Sequence, residues 1–150
     1  MKIYHKLWLS KDVVLKALEM MVNGEYFKGD NVRKFEDDFK SYIGAKYAIA
    51  TSSGRFAVYQ ILSSLKIRKN IDEIIIPSYS PWILAKVAIF CGLKPVFVDV
   101  DSETNNMDPE DIEKKITKNT KVILMVHLYG VPCKIDEILK LAKKHGIFIR

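Results

Sequence analysis

The stretch DEIIIPSYSPWILAKVAIFCGLKPVFVDVD, residues 72–101, decides the fold. DEIIIPS (72–78) is a short, continuous apolar run, the pattern of a strand buried on both faces. PWILAKVAIFCG (81–92) is a largely apolar helix closed by Gly92. KPVFVDVD (94–101) is the next strand. Strand, helix and strand in close succession make a βαβ unit, whose two strands lie parallel.

The same alternation extends in both directions. Upstream, Ser10 opens a helix over 11–23 with Val14, Leu15, Leu18 and Val22 on one face. NGEYFKGD (23–30) breaks it with Gly24 and Gly29. A second helix runs over 31–43, with Val32, Phe35 and Phe39 at helical spacing, and ends at Gly44. KYAIA (46–50) reads as a short strand and TSSG (51–54) as a turn. A third helix over 55–66 carries Val58, Ile61, Leu62 and Leu65 on one face. Downstream, Asp108 is a good N-cap, Pro109 suits the first helical position, and Met107 with Ile112 forms a hydrophobic staple. TKVILMVHLYG (120–130) is a strand and its exit loop. Ile135, Ile138, Leu139 and Ala142 mark a helix ending at Gly146, and IFIR (147–150) begins another strand. The expected fold is α/β, three layers, with a mostly parallel sheet and helices on both faces.

At 150 residues, 49% hydrophobic and 28% charged, the chain has the composition of a folded domain that buries about 70% of its unfolded surface. Cys91 and Cys133 form no C-x-x-C pair, so a zinc knuckle or disulfide scaffold is not expected. The net charge of +6 is dispersed and lysine-rich, without basic runs interleaved with aromatics, which argues against nucleic acid as partner. No apolar run spans a membrane and the N-terminus has no signal-peptide core, so the expected location is cytoplasmic. A buried strand that has barely started at residue 150 points to the first part of a longer fold.

Chemistry is expected where strands end. YAIATSSGRFAVYQIL (47–62) is a strand–turn–helix in which Ser53, Gly54 and the backbone N–H groups of the helix start suit a phosphate. Arg55 adds a charge-assisted contact. The same residues also suit an ordinary turn with Ser53 capping the helix and Arg55 in solvent, and both readings stay open. After the strand at 72–78, Tyr79 and Trp82 offer flat faces to a planar ring or to the core. In VHLYG (126–130), His127 and the neighbouring tyrosine can donate hydrogen bonds at a strand's carboxyl end, although a lone histidine is more commonly structural. His5 and His145 read as surface residues. Asp99 and Asp101 share a strand face, but without a third ligand they read as a solvated strand end rather than a metal site.

Taken in order, GEYFKGDNVRKFEDDF, YAIATSSGRFAVYQIL, the long segment from Glu73 through PVFVDVDSETNNMDP (95–109), and KVILMVHLYGVPCKIDEILKLAKKHGIFI resemble the DegT/StrS family of fold type I, pyridoxal-phosphate-dependent sugar aminotransferases. The resemblance implies that Ser53, Gly54 and Arg55 hold the phosphate of pyridoxal 5'-phosphate, with Arg55 standing where many members carry Thr or Ser. It implies that Trp82, or else Tyr79, stacks on the pyridine ring, because Pro81 occupies the usual aromatic position. It also implies a nucleotide-linked keto sugar and an amino-acid donor as substrates, and a dimer. The carboxylate that pairs with the ring nitrogen falls just past Arg150 in the family pattern. No lysine of the chain matches the one that forms the Schiff base. The 150 residues therefore read as the N-terminal part of the large domain, inactive alone. Other readings are one half of a split enzyme completed by a C-terminal half, or a non-catalytic α/β module that binds an anion or a protein. Aminotransferase and dehydratase relatives are not separated by these residues.

Overall fold

The computed structural model describes residues 10–25 and 30–149. His5, Gly29 and Arg150 lie outside these residues. The chain divides into two compact units, 1–50 and 51–150.

The first unit holds α1 (Lys11–Val22) and α2 (Asn31–Ile43). Ser10 caps α1 through its hydroxyl, which accepts the Val13 N–H at 3.3 Å, and Gly44 ends α2 at φ 72°. No side chain of either helix is buried. Phe35 and Phe39 stack at 5.7 Å on the side where KYAIA runs. That segment corrects the sequence reading. It has no regular structure and pairs with no strand among the described residues, and its Tyr47 and Ile49 stay 75% and 76% exposed. A strand exists only as one rung of a ladder. Among the described residues, the backbone tie of this segment is the Ala50 N–H to Glu36 Oε1 at 2.7 Å.

The second unit is the α/β layer structure. Its elements are α3 (Gly54–Ser63), β1 (Glu73–Pro77), α4 (Ile83–Phe90), β2 (Lys94–Val98), α5 (Pro109–Lys115), β3 (Thr120–Ile123), α6 (Ile135–His145) and β4 (Phe148–Ile149). The helix ends fall within three residues of the expected ones. The strands order as β2-β1-β3-β4 and every pairing is parallel, so β1 and β3 are central. The register pairs Ile75 with Val96 on one side and Ile123 on the other.

Alternation of side chains along β1 feeds two cores. Ile75 joins Val98, Ile112, Ile123, Ile138 and Ala142 under α5 and α6. Ile74 and Ile76 join Leu62, Ala88, Val122 and Leu124 under α3 and α4. Three successive isoleucines with no solvent exposure account for the unbroken apolar run, because both faces of a parallel sheet are covered. The entry to α5 forms as read from its residues. Asp108 accepts the Glu110 N–H at 3.0 Å, Pro109 is first, and Met107 and Ile112 are both buried.

The amino edge of the sheet is tied by polar contacts. Asp72 is buried and accepts the Arg68 Nε–H at 2.7 Å and the Arg68 N–H at 2.9 Å. Burial alone would raise its carboxyl, but the Arg68 bonds outweigh it and hold it below its ordinary value. Glu73 accepts from Thr117 and Thr120 beside it. After β2, the Asp99 N–H donates to Asp111 and Asp101 closes a turn by accepting the N–H groups of Glu103 and Thr104, each at 3.0 Å. Lys134 adds an ion pair at 3.2 Å. These bonds, led by the Thr104 N–H, hold the Asp101 carboxyl down at about 2.

Two stability predictions rest on this packing. Ile75→Ala removes a fully buried side chain from a close-packed core and should destabilise the fold by about 3–4 kcal/mol in urea titration. Asp101 binds its proton more weakly folded than unfolded, so its contribution is complete above its ordinary value of 3.8 and fades as pH falls toward about 2. Asp101→Asn should therefore lower the thermal midpoint at pH 7, with the gap to the parent closing between pH 4 and pH 2.

Candidate functional site

Ligands of open α/β sheets bind at the carboxyl ends of the strands. In this chain that edge carries two clusters. The first is built on the start of α3. Ser53 is extended (φ −168°, ψ 156°), and its hydroxyl accepts the Phe56 N–H at 3.4 Å, so it is the N-cap. Thr51 Oγ1 donates to the Ser53 carbonyl at 3.1 Å and steadies the turn. The Gly54 and Arg55 N–H groups have no protein acceptor among the described residues, as expected for the first turn of a helix. A Cβ placed on Gly54 would meet nothing within 4 Å, so the space over this turn is open. Arg55 is exposed and takes part in no ion pair among the described residues.

Ser52, Ser53 and Arg55 line a wide, open groove of about 1130 Å³ whose far side is Lys86, Ile89 and Phe90 of α4. Its floor is aromatic. Phe56 stacks on Tyr59 at 5.9 Å, and Tyr59 meets Phe90 at 5.7 Å. Lys86, the one charged residue of α4, is the link to Trp82. Its ammonium lies 4.5 Å from the centre of the Trp82 ring, one helical turn back. Trp82 itself is the N-cap residue of α4 and is 67% exposed. Two cations, two hydroxyls and two free N–H groups around an apolar floor fit a phosphate monoester attached to a flat ring. This donor set therefore suits the phosphate of pyridoxal phosphate. The contribution of Lys86 could have been noticed as a lone charge inside ILAKVAIF, four residues after Trp82.

The second cluster lies where β1 and β3 end. The loop after β1 is pinned by the Ser78 N–H to the Val98 carbonyl at 2.8 Å and by Ser80 Oγ to the Pro77 carbonyl at 2.9 Å. It carries Tyr79, which is exposed and whose hydroxyl is 3.2 Å from that of Tyr129. Tyr129 sits in a 3-10 turn (Leu128–Gly130) with φ 53° and ψ 21°, a left-handed conformation that costs a non-glycine residue about 1–3 kcal/mol. The neighbouring Tyr79 hydroxyl holds the Tyr129 phenol above its ordinary value. His127, also exposed, accepts the Cys133 N–H on Nδ1 at 3.2 Å, so the neutral ring carries its proton on Nε2. His145 is exposed at the end of α6, on the amino side of β4.

The loop between Val126 and Lys134 is held by Asn106, which is only 3% exposed. Its Nδ2 donates to the Val131 carbonyl at 3.0 Å and the Pro132 carbonyl at 3.4 Å. Its Oδ1 accepts the Leu128 N–H at 3.1 Å. Cys133 is buried with its sulfur 3.1 Å from the Val126 carbonyl, and burial pushes its thiol up, away from reactivity. Thus Ser53 and Arg55, on either side of Gly54, share one groove with Lys86, and Trp82 is joined to it only through the Lys86 ammonium. Tyr79 and His127 share the other cluster with Tyr129. Among the described residues no three His, Cys, Asp or Glu side chains could hold a metal together, and no helix is long and apolar enough to cross a membrane.

Comparison with known proteins gives these clusters a context. The sequence model of the DegT/DnrJ/EryC1/StrS aminotransferase family matches residues 9–150. GDP-perosamine synthase of Escherichia coli O157:H7 is 39% identical over 122 residues, which is 81% of this chain and 33% of the relative. The solved aminotransferase from Psychrobacter cryohalolentis superposes with a TM-score of 0.91 at 31% identity, covering 99% of this chain and 38% of that one. The E. coli GDP-4-keto-6-deoxy-D-mannose-3-dehydratase with bound hydrated PLP gives 0.84 at 32% identity, covering 99% and 40%. The chain spans about a third of the length of the curated relatives it matches.

The cap geometry is directly testable. Ser53→Ala removes the hydroxyl that satisfies the Phe56 N–H and should lower stability by about 1 kcal/mol in denaturant titration. Ser53→Asp, which can also cap, should restore most of that loss.

Proposed function

The chain belongs to the DegT/DnrJ/EryC1/StrS aminotransferase family, and from that premise we propose that it is the N-terminal part of a large domain that binds pyridoxal 5'-phosphate and serves nucleotide-linked keto sugars. The observation that carries this reading is the first turn of α3. The Gly54 and Arg55 N–H groups have no protein acceptor among the described residues, the space over Gly54 is open, and Arg55 and Lys86 line one groove. The helix dipole adds positive potential at the same place.

In this reading Ser53 orders the turn, the Gly54 and Arg55 N–H groups bind the phosphate oxygens, and the Arg55 guanidinium neutralises their charge. Trp82 supplies the flat face for the ring, with Tyr79 as the second aromatic nearby. His127, fixed with its proton on Nε2, donates to an oxygen of the bound ligand. When bound, the cofactor supplies an electron sink for amino transfer, with an amino-acid donor feeding the sugar. A lysine matching the family's Schiff-base residue and a carboxylate for the ring nitrogen are not found in this chain. In this reading the 150 residues supply binding groups, and turnover draws on a C-terminal segment that carries the amine and the carboxylate. The site works in the cytoplasm, where nucleotide sugars are made.

Binding and turnover are tested separately. Pyridoxal 5'-phosphate added to the labelled chain should shift the Gly54 and Arg55 amide signals, and Arg55→Ala should weaken binding about tenfold or more, the loss of one charge-assisted contact. Borohydride treatment of the complex should fix no lysine stoichiometrically. Unmoved amides would reject the phosphate site, and stoichiometric reduction onto one lysine would reject the claim that the chain holds no Schiff-base lysine.

A further inference from the structure

Part of the positive charge that is dispersed along the sequence is gathered by the fold at the amino edge of the sheet, the end opposite the two clusters above. Three connections meet there. The one from α3 to β1 brings Lys66 and Arg68, the one from α5 to β3 brings Lys118, and His145 stands at the turn from α6 to β4. With Lys121 of β3 and the buried Asp72 they line a recess of about 290 Å³. That volume lies at the bottom of the range for ligand pockets, so it suits a small ligand. The lining is charged and polar, so it suits a hydrated ion better than an apolar group.

The carboxylates at this edge are already engaged. Asp72 accepts the backbone N–H and the Nε–H of Arg68, which holds the guanidinium in one orientation while its side chain stays 60% exposed. Glu73, the next residue, accepts from the hydroxyls of Thr117 and Thr120. Lys66, Lys118 and Lys121 take part in no ion pair among the described residues. By contrast, Lys16, Lys40, Lys115, Lys134 and Lys144 each have a carboxylate within 3.2 Å. Lys66, Arg68, Lys118 and Lys121 against Asp72 leave an excess of three positive charges in the recess, and Glu73 beside it lowers that to two. The last turn of α6 adds Lys143, and Lys144 in its pair with Glu113. Like charges held together repel and oppose folding, so a recess of this kind favours a bound counter-charge.

We infer that this amino-edge recess is a second anion site, which binds a small phosphate or pyrophosphate group between Lys66, Lys118, Lys121 and the Asp72-fixed Arg68. A guanidinium held in one orientation suits the oxygens of a phosphate, and the ammonium groups act as point charges around it. A single carboxylate would neutralise only one of the excess charges, whereas a phosphate carries about two. The cations converge from three loops on one recess and form no stripe along a helix, which favours a compact anion over a long polyanion. The site shares no residue with the groove at α3 and α4, so it stands or falls apart from the proposed cofactor site.

The test follows the amide signals of the full labelled chain as pyrophosphate, inorganic phosphate or glucose 1-phosphate is added. Each is taken to about 10 mM in about 0.15 M chloride, where diffuse attraction between exposed charges is largely screened. The Lys66, Lys118, Lys121 and Gly146 amides should shift together along one saturating curve with at least one probe. The tightest probe then tells a free ion from a phosphate ester. Lys118→Gln should weaken pyrophosphate binding about tenfold, the loss of one charge-assisted contact. Its thermal midpoint without ligand should hold or rise, because one of several like charges is gone. Lys34→Gln, at an exposed position of α2 outside the recess, removes the same net charge and should leave the affinity unchanged. No saturation with any probe, or an equal loss of affinity in Lys34→Gln, would overturn the site. A single-stranded oligonucleotide that moves these amides at lower concentration than pyrophosphate would overturn the assignment to a small anion. Failure of the cofactor reading is seen separately, at the Gly54 and Arg55 amides under pyridoxal phosphate.

Discussion

Burial of β1 on both faces is the constraint on which everything else in the second unit depends. Ile74, Ile75 and Ile76 alternate between two cores, so neither helix layer can be removed without exposing one face of the sheet. Each isoleucine contributes about 2–3 kcal/mol of transfer free energy when fully buried. The parallel pairing of β1 with both β2 and β3 then sends all the strand carboxyl ends to one edge. The position of Tyr79 and His127 is a consequence of that edge, whereas the first cluster rests on the local cap of α3.

The two edges of the sheet treat polar groups in opposite ways. At the amino edge, Asp72 is buried against Arg68, and Glu73 accepts from Thr117 and Thr120. These groups satisfy one another. At the carboxyl edge, the Gly54 and Arg55 N–H groups, the Arg55 guanidinium and the His127 Nε2–H have no protein acceptor among the described residues, and Tyr129 is strained. Those amino-edge groups complete one another, whereas these carboxyl-edge groups are exposed. Asn106 is bonded like the former, and its bonds end on the loop that carries Tyr129 and His127.

The α/β class, the helix faces, the Asp108–Pro109 entry and the parallel strands were legible because each rests on local periodicity or local capping. The strand expected at 46–50 was not. Its alternating Tyr47 and Ile49 satisfy the local pattern, but pairing is a non-local property and no described strand lies beside it. In the site, Ser53, Gly54 and Arg55 were readable from turn chemistry, and Tyr79, Trp82 and His127 from their places after strands. Lys86 carries no such signal, because a single lysine on a helix usually marks a solvated face. Asn106 and the strain at Tyr129 leave little local trace. A buried asparagine bonded to a loop more than twenty residues away, and a tyrosine forced to positive φ, become visible only once α5 and β3 are packed against each other.

Under the proposed function, phosphate binding and amino transfer make different demands on the fold. A phosphate needs only N–H groups, a helix terminus and cations, all of which α3 and α4 supply within residues 53–86. Amino transfer needs in addition an amine to hold the cofactor covalently and a carboxylate to keep its ring nitrogen protonated. Phosphate affinity and electron-sink chemistry thus draw on different residues. The positive φ of Tyr129 belongs to neither demand; it is held by the bonds of Asn106 to the Leu128–Cys133 segment.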